Sequence, residues 1–176
     1  WPELKLILVP RNAERFDEVE KLLERENVRY FRTSAIPRLS AQAESITRDN
    51  NVILVDTVGQ LRHIWGLAEM AFVGGSLCPE GGHNMIEPAS YGIPVCFGPH
   101  IETFQTVVDI FLSANAAVMT ESPHALQSTL ESWLSAPAAA AEMGVRARVV
   151  VEQHAHSVQT TLERIDALLP RNPVYT

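Results

Sequence analysis

The chain has 176 residues, 46 % of them hydrophobic and 20 % charged, with a formal net charge of −7. That length suits one domain with a sizeable core, and the acidic balance argues against a nucleic-acid backbone as the main partner, since binding one needs a basic surface, and leaves room only for a local basic patch. No run of about 18 apolar residues occurs, so no transmembrane helix is predicted, and no signal-peptide pattern is read in the sequence.

Leu4 to Val9 is an apolar run of strand length, of the kind buried on both faces of a parallel sheet. It stops at Pro10. Asn12 is a candidate cap for a helix from about Ala13 to Glu26, with Phe16, Val19, Leu22 and Leu23 as its apolar stripe. Val28 to Arg32 is a weaker strand. Thr33 to Asn51 is polar and irregular and reads as a long loop, with a helical turn near Ala41 to Ile46. Val52 to Val55 is a short buried strand that ends in Asp56-Thr57, and a helix follows from about Gly59 to Leu67. Met70 to Val73 is the next strand.

Asn84 to Tyr91 reads as a short helix stopped by Gly92, and Pro94 to Phe97 as a strand turning at Gly98-Pro99-His100. Thr103 to Ala114 is an amphipathic helix with Phe104, Val107, Val108 and Phe111 on one side. Ala116 to Met119 is the last strand. Ser122 caps a helix with Pro123 at its first position, and two closing helices are expected, Pro137 to about Val151 and Ser157 to Leu169. The alternation predicts an α/β fold: a Rossmann-like, doubly wound parallel sheet of about six strands with helices on both faces.

Within this pattern Phe72-Val73-Gly74-Gly75-Ser76 runs through Glu80-Gly81-Gly82-His83-Asn84 to Glu87-Pro88. A strand, a glycine-rich turn and a helix start follow one another, with Asn84 and Glu87 spaced as a capping box. A helix start of this kind offers N–H groups to an anion, so a phosphate or nucleotide is expected at Gly81 to Glu87. Ligands of doubly wound sheets bind at the carboxyl ends of the strands. This brings Arg11, Asp56, Thr57, Gly75, Ser76, Gly81, Gly82, His83, Asn84 and Glu87 to one edge as candidate residues for a sugar-phosphate ligand. Several have a plainer role open to them, whereas His83 has no helical duty. Arg11 can form a surface ion pair, Asp56 and Thr57 can cap the next helix, Ser76 can satisfy the turn, and Asn84 and Glu87 can serve the helix start alone. His63, His124, His154 and His156 have no spacing that demands a metal and are expected on the surface or on helix faces, and no metal or cofactor is predicted. Trp65 and Trp133 are expected to pack in the core. Cys78 and Cys96 lie in or beside apolar stretches without metal-ligand spacing and are expected as buried thiols in a reducing compartment.

Several of these segments resemble the carboxy-terminal half of the 3-deoxy-D-manno-octulosonic acid (Kdo) transferases. They are Val9-Pro10-Arg11-x-x-Glu14-Arg15-Phe16, Asp56-Thr57-x-Gly59-x-Leu61, Phe72-Val73-Gly74-Gly75-Ser76-Leu77, Gly81-Gly82-His83-Asn84, Glu87-Pro88-Ala89 and Pro94-Val95-x-x-Gly98-Pro99-His100. The resemblance covers Leu4 to about Leu169. It implies one half of a GT-B glycosyltransferase, with residues 1–176 as the nucleotide-sugar-binding domain for CMP-Kdo or CMP. It further implies an amino-terminal domain outside this chain that carries the acceptor site for a lipid A precursor, the catalytic carboxylate and a membrane anchor. Accordingly no catalytic residue is assigned here. The start at Trp1-Pro2, without Met, is expected of a piece of a longer protein. The family acts at the cytoplasmic face of the bacterial inner membrane in lipopolysaccharide core synthesis. Asn12-Ala13 stand where it often has His-Pro, Gln60 where Glu is usual, and Cys78-Pro79-Glu80 lacks a basic residue. A UDP-sugar transferase or epimerase of the same fold, or a non-catalytic nucleotide-binding module, are the alternative readings.

Overall fold

Each of the six runs predicted as strands forms one, three residues long, in a computed structural model that describes residues 1–35, 50–79 and 81–168, with no side chain described for 155–163. The chain divides into two compact units, Trp1–Gly66 and Leu67–Thr176. The six strands pair not as one sheet but as two three-stranded parallel sheets, one in each unit. The α/β, Rossmann-like character expected from the alternation is kept.

In the first unit β1 (Leu6–Leu8), β2 (Tyr30–Arg32) and β3 (Val52–Leu54) lie in the order β1-β3-β2, with Leu6 and Tyr30 both in register with Val52. β3 is central, so Val52, Leu54 and the following Val55 are buried. α1 (Phe16–Arg25) supplies Leu23 to this cluster, with Leu8, Val19, Val28 and Tyr30 packed around it. Full burial of such side chains stabilises by about 1.5–3 kcal/mol each. Leu22, predicted on the same stripe, is exposed. It lies about 100° around the helix from Leu23, on the solvent side. Asn12 makes no side-chain cap. A 3-10 turn, Ala13–Arg15, precedes α1 instead. The helix closes at Asn27, φ 52, where the Val28 N–H donates to Leu23 O at 2.9 Å in a Schellman-type turn. After β2 a 3-10 turn spans Thr33–Ala35, and the predicted helical turn near Ala41 to Ile46 lies outside the described residues. α2 (Leu61–Ile64) starts later than predicted because Gly59, at φ +84, is not helical. Trp65 is half-buried.

In the second unit β4 (Ala71–Val73), β5 (Val95–Phe97) and β6 (Ala117–Met119) lie in that order, with Val95 between Ala71 and Ala117. All three residues of β5 are fully buried. Alternation sends Cys96 to one face, where it meets Trp133 and Ala140, and Val95 and Phe97 to the other. The helices are α3 (Ile86–Ser90), α4 (Gln105–Ser113), α5 (Pro123–Ser135) and α6 (Pro137–Leu168). Ser122 caps α5 as predicted, its Oγ accepting from the Ala125 N–H at 3.1 Å. The two closing helices are one continuous helix. The stretch 152–156 between them is mostly polar but holds no glycine or proline, so it costs a few tenths of a kcal/mol of propensity per residue and breaks nothing. Cys78 is exposed, against expectation, because it sits in the loop beyond β4 rather than in a strand. Cys96 is buried, and burial pushes its thiol up to about 12. No described helix is long and apolar enough to cross a membrane.

Candidate functional site

In the second unit the loops that leave β4 and β5 at their carboxyl ends are bonded to each other. Ser76 is the link. Its side chain is fully buried; its Oγ donates to Val73 O at 2.5 Å and accepts from the Gly98 N–H at 2.7 Å. Its carbonyl accepts from the His100 N–H at 2.9 Å, and His100 O in turn accepts from the Gly82 N–H at 2.6 Å. One chain of hydrogen bonds thus runs from the end of β4, through the β5 loop, to the second glycine pair.

At Gly75 and Gly98 nothing larger fits. Gly75 has φ +77, and a Cβ on it would stand 2.5 Å from Gly81 O and 3.4 Å from the ring of His83. A Cβ on Gly98 would stand 2.2 Å from Ser76 O. Gly81, Gly82 and His83 are half-buried and lie on this bonded loop, and Gly81 takes φ +86.

Asn84 and Glu87 are exposed and adjacent, but they do not form the predicted capping box. α3 begins at Ile86, and Asn84 Oδ1 accepts from the Ile86 N–H at 3.0 Å, while Asn84 Nδ2 donates to Glu87 Oε1 at 3.3 Å. An Asx turn replaces the box because the residue between Asn84 and Ile86, Met85, is fully buried and starts the helix later. One helix-start N–H is thereby already bonded, and five residues carry only a small dipole, so the helix terminus by itself is a weaker anion site than its sequence suggests. α3 is fixed from behind: Met85, Pro88 and Ala89 are buried, Gly92 ends it at φ +75, and a Cβ on Gly144 of α6 would stand 2.0 Å from Gly92 O.

In the first unit, Asp56 at the end of β3 is held by the end of β2. Its side chain is 2 % exposed. Oδ1 accepts from Thr33 Oγ1 at 3.0 Å and the Ser34 N–H at 2.8 Å, and Oδ2 from Arg32 Nε at 2.7 Å and from Ser34 Oγ. Burial alone raises the carboxyl pKa, but the bonds from Ser34, Arg32 and Thr33 outweigh it and hold the group below the usual carboxylate range. Arg32 also meets Asp17 at 2.9 Å and Glu20 at 2.7 Å, and these acidic partners, Asp56 first, keep it firmly protonated. Tyr30 donates to Glu20 at 2.9 Å, and burial together with Glu20 and Glu24 pushes its hydroxyl up to about 12. Arg11 and Thr57 are exposed just beyond β1 and β3.

Of the residues singled out in sequence, the structure brings together Gly75, Ser76, Gly81, Gly82, His83, Asn84 and Glu87 within one unit. Ser76 and Asp56 are turned inward, with their polar atoms engaged by protein groups. His63, His124 and His154 are exposed, and the side chain of His156 lies outside the described residues. Among the described residues no three His, Cys, Asp or Glu side chains gather closely enough to hold a metal ion. Sequence reasoning missed Arg32, Thr33 and Ser34 as the partners of Asp56. It also missed Gly144, although a glycine inside an Ala-rich helix is itself a signal of close packing.

No family model matches the chain. It is 31 % identical over 175 residues to a 3-deoxy-D-manno-octulosonic acid transferase of Haemophilus influenzae, covering 98 % of this chain and 39 % of that protein. A 3-deoxy-D-manno-octulosonic acid transferase of Bordetella pertussis is 30 % identical over 165 residues, covering 94 % of this chain and 37 % of that protein. The chain therefore spans well under half the length of these curated relatives. Among solved structures it is similar to the C-terminal CMP-Kdo binding domain of WaaA from Acinetobacter baumannii. The TM-score is 0.75 and the identity 33 %, over 84 % of this chain and 74 % of that one.

Proposed function

The chain belongs to the family of 3-deoxy-D-manno-octulosonic acid (Kdo) transferases, and on that premise we propose that it is the carboxy-terminal, donor-binding part of a glycosyltransferase that takes CMP-Kdo. The observation that supports this most is the likeness, across most of the chain, to a solved CMP-Kdo binding domain. In the proposed reaction an acceptor hydroxyl attacks the anomeric carbon of Kdo. The bond from that carbon to the CMP phosphate oxygen breaks, its electron pair goes to the phosphate, and the hydroxyl proton passes to a base. The base, the site for a lipid A precursor and attachment to the cytoplasmic face of the inner membrane are assigned to an amino-terminal domain outside this chain.

What this chain supplies is a fixed electrostatic environment for the leaving phosphate. In the second unit the Gly81–Gly82 backbone, His83 and Asn84 face the phosphate, and the Glu87 carboxylate accepts from the ribose hydroxyls. Gly75 lets the loop pass close beneath His83. In the first unit Arg11 and Thr57 stand just beyond β1 and β3, at the carboxyl edge of that unit's own sheet, and are proposed as donor contacts of that unit. Asp56 and Ser76 support these loops without touching the nucleotide.

Calorimetric titration with CMP and UDP tests the reading. CMP binds selectively, and Glu87→Ala and Arg11→Ala each weaken it about tenfold, the loss of one charge-assisted hydrogen bond. A preference for UDP moves the function to another sugar-nucleotide enzyme and overturns the CMP assignment.

A further inference from the structure

We propose that Ser76 is a positioning residue for the phosphate of the bound nucleotide, acting through His100 and Gly82 without touching the ligand. The proposal rests on the donor-binding reading above. Two separate anchors hold the two parts of the nucleotide face. The Gly81–His83 loop is tied down through Gly82 N–H to His100 O at 2.6 Å, His100 N–H to Ser76 O at 2.9 Å, and Gly98 N–H to Ser76 Oγ at 2.7 Å. α3, which carries Glu87, is held instead by its buried Met85, Pro88 and Ala89 and by the contact of Gly92 with Gly144. Ser76 belongs to the first anchor alone.

The hydroxyl of Ser76 is fully buried, and both its donor and its acceptor role are taken by main-chain groups. Without it the buried Gly98 N–H loses its acceptor, and the β5 loop must shift to find another. That shift passes to His100 and so to Gly82. A CH₂OH group reduced to CH₃ therefore loosens the phosphate loop while α3 and Glu87 stay where they are. The consequence is selective: affinity for the phosphate falls and affinity for the nucleoside does not.

The test compares CMP with cytidine, titrated by NMR into the 176-residue chain and its Ser76→Ala and Ser76→Cys variants, each first shown to be folded by thermal unfolding. Cysteine keeps an atom in place with a weaker donor and acceptor. The expected result is a CMP Kd about tenfold higher in Ser76→Ala, a smaller rise in Ser76→Cys, and an unchanged cytidine Kd in both. Without ligand, the Gly82 amide should exchange with solvent faster in Ser76→Ala. Equal weakening of CMP and cytidine overturns the inference, as does unchanged CMP affinity or unchanged Gly82 exchange, and the donor-binding reading then stands. A wild-type chain that binds neither compound overturns that reading itself. Where Ser76→Ala does not fold, Ser76→Cys decides by the same outcomes.

Discussion

The two units meet the same structural problem with different chemistry. In each, loops leaving neighbouring parallel strands must be tied together at the carboxyl edge of a sheet. The first unit uses charge: Asp56, at the end of β3, gathers Arg32, Thr33 and Ser34 from the end of β2. The second uses a neutral hydroxyl and bare backbone: Ser76 joins β4 to Gly98 and His100 beyond β5. A charged clasp tolerates some exposure, since Arg32 is 25 % exposed, but it depends on pH. A neutral clasp is indifferent to pH and intolerant of volume, because its partners are main chain at close range. The second kind brings no charge of its own to the loop that it ties down.

The comparison can be broken at either clasp. The largest effect is expected from Asp56→Ala, which leaves the Arg32 side of the pair without its buried partner; the cost is about 3 kcal/mol, read as a lower urea midpoint. Gly98→Ala comes next, at about 2 kcal/mol, because its methyl group is driven into Ser76 O and the main chain there must move. It should show no pH dependence of its own.

The charged clasp responds to acid in a defined sense. The folded Asp56 carboxyl titrates below its unfolded value of about 3.9, so its contribution is complete above that pH and is lost as pH falls through the folded pKa. Wild-type stability should therefore fall between about pH 4 and pH 2 more steeply than that of Asp56→Asn. Parallel slopes for the two proteins would remove the charged clasp from the account. Two smaller changes calibrate the scale. Ser122→Ala removes a cap and costs about 1 kcal/mol. Glu152→Ala removes the exposed pair with Arg148 and costs about 0.4 kcal/mol, which separates an exposed ion pair from the buried one at Asp56. Both are read from thermal or urea unfolding.

The apolar runs, the turn glycines and the Ser122-Pro123 start were legible because each depends on its own neighbours. Val52 to Val55 forms the buried strand its apolar run predicts, and Gly92 ends α3 at φ +75, a conformation glycine adopts readily. Less local features were misread. Two closing helices are expected with a gap between Val151 and Ser157, yet α6 runs through it, since a helix stops at a breaker and not at polarity. Asn84 and Glu87 have the spacing of a capping box, but the burial of Met85 moved the helix start by two residues and turned the pair into side-chain neighbours.

The sequence by itself determined the βα alternation, the six strands, the glycine-rich loop beyond β4 and, through its motif string, the family. Only the tertiary structure decided that the strands pair in two sheets, that Asp56 and Ser76 turn inward, and that Gly144 backs the helix that carries Glu87. The physical reason is range. Periodicity, capping and turn chemistry act over a few residues, whereas the side-chain partners of Asp56 and the Gly98 N–H that meets Ser76 lie 22 to 24 positions away, and no local preference encodes which group will meet them.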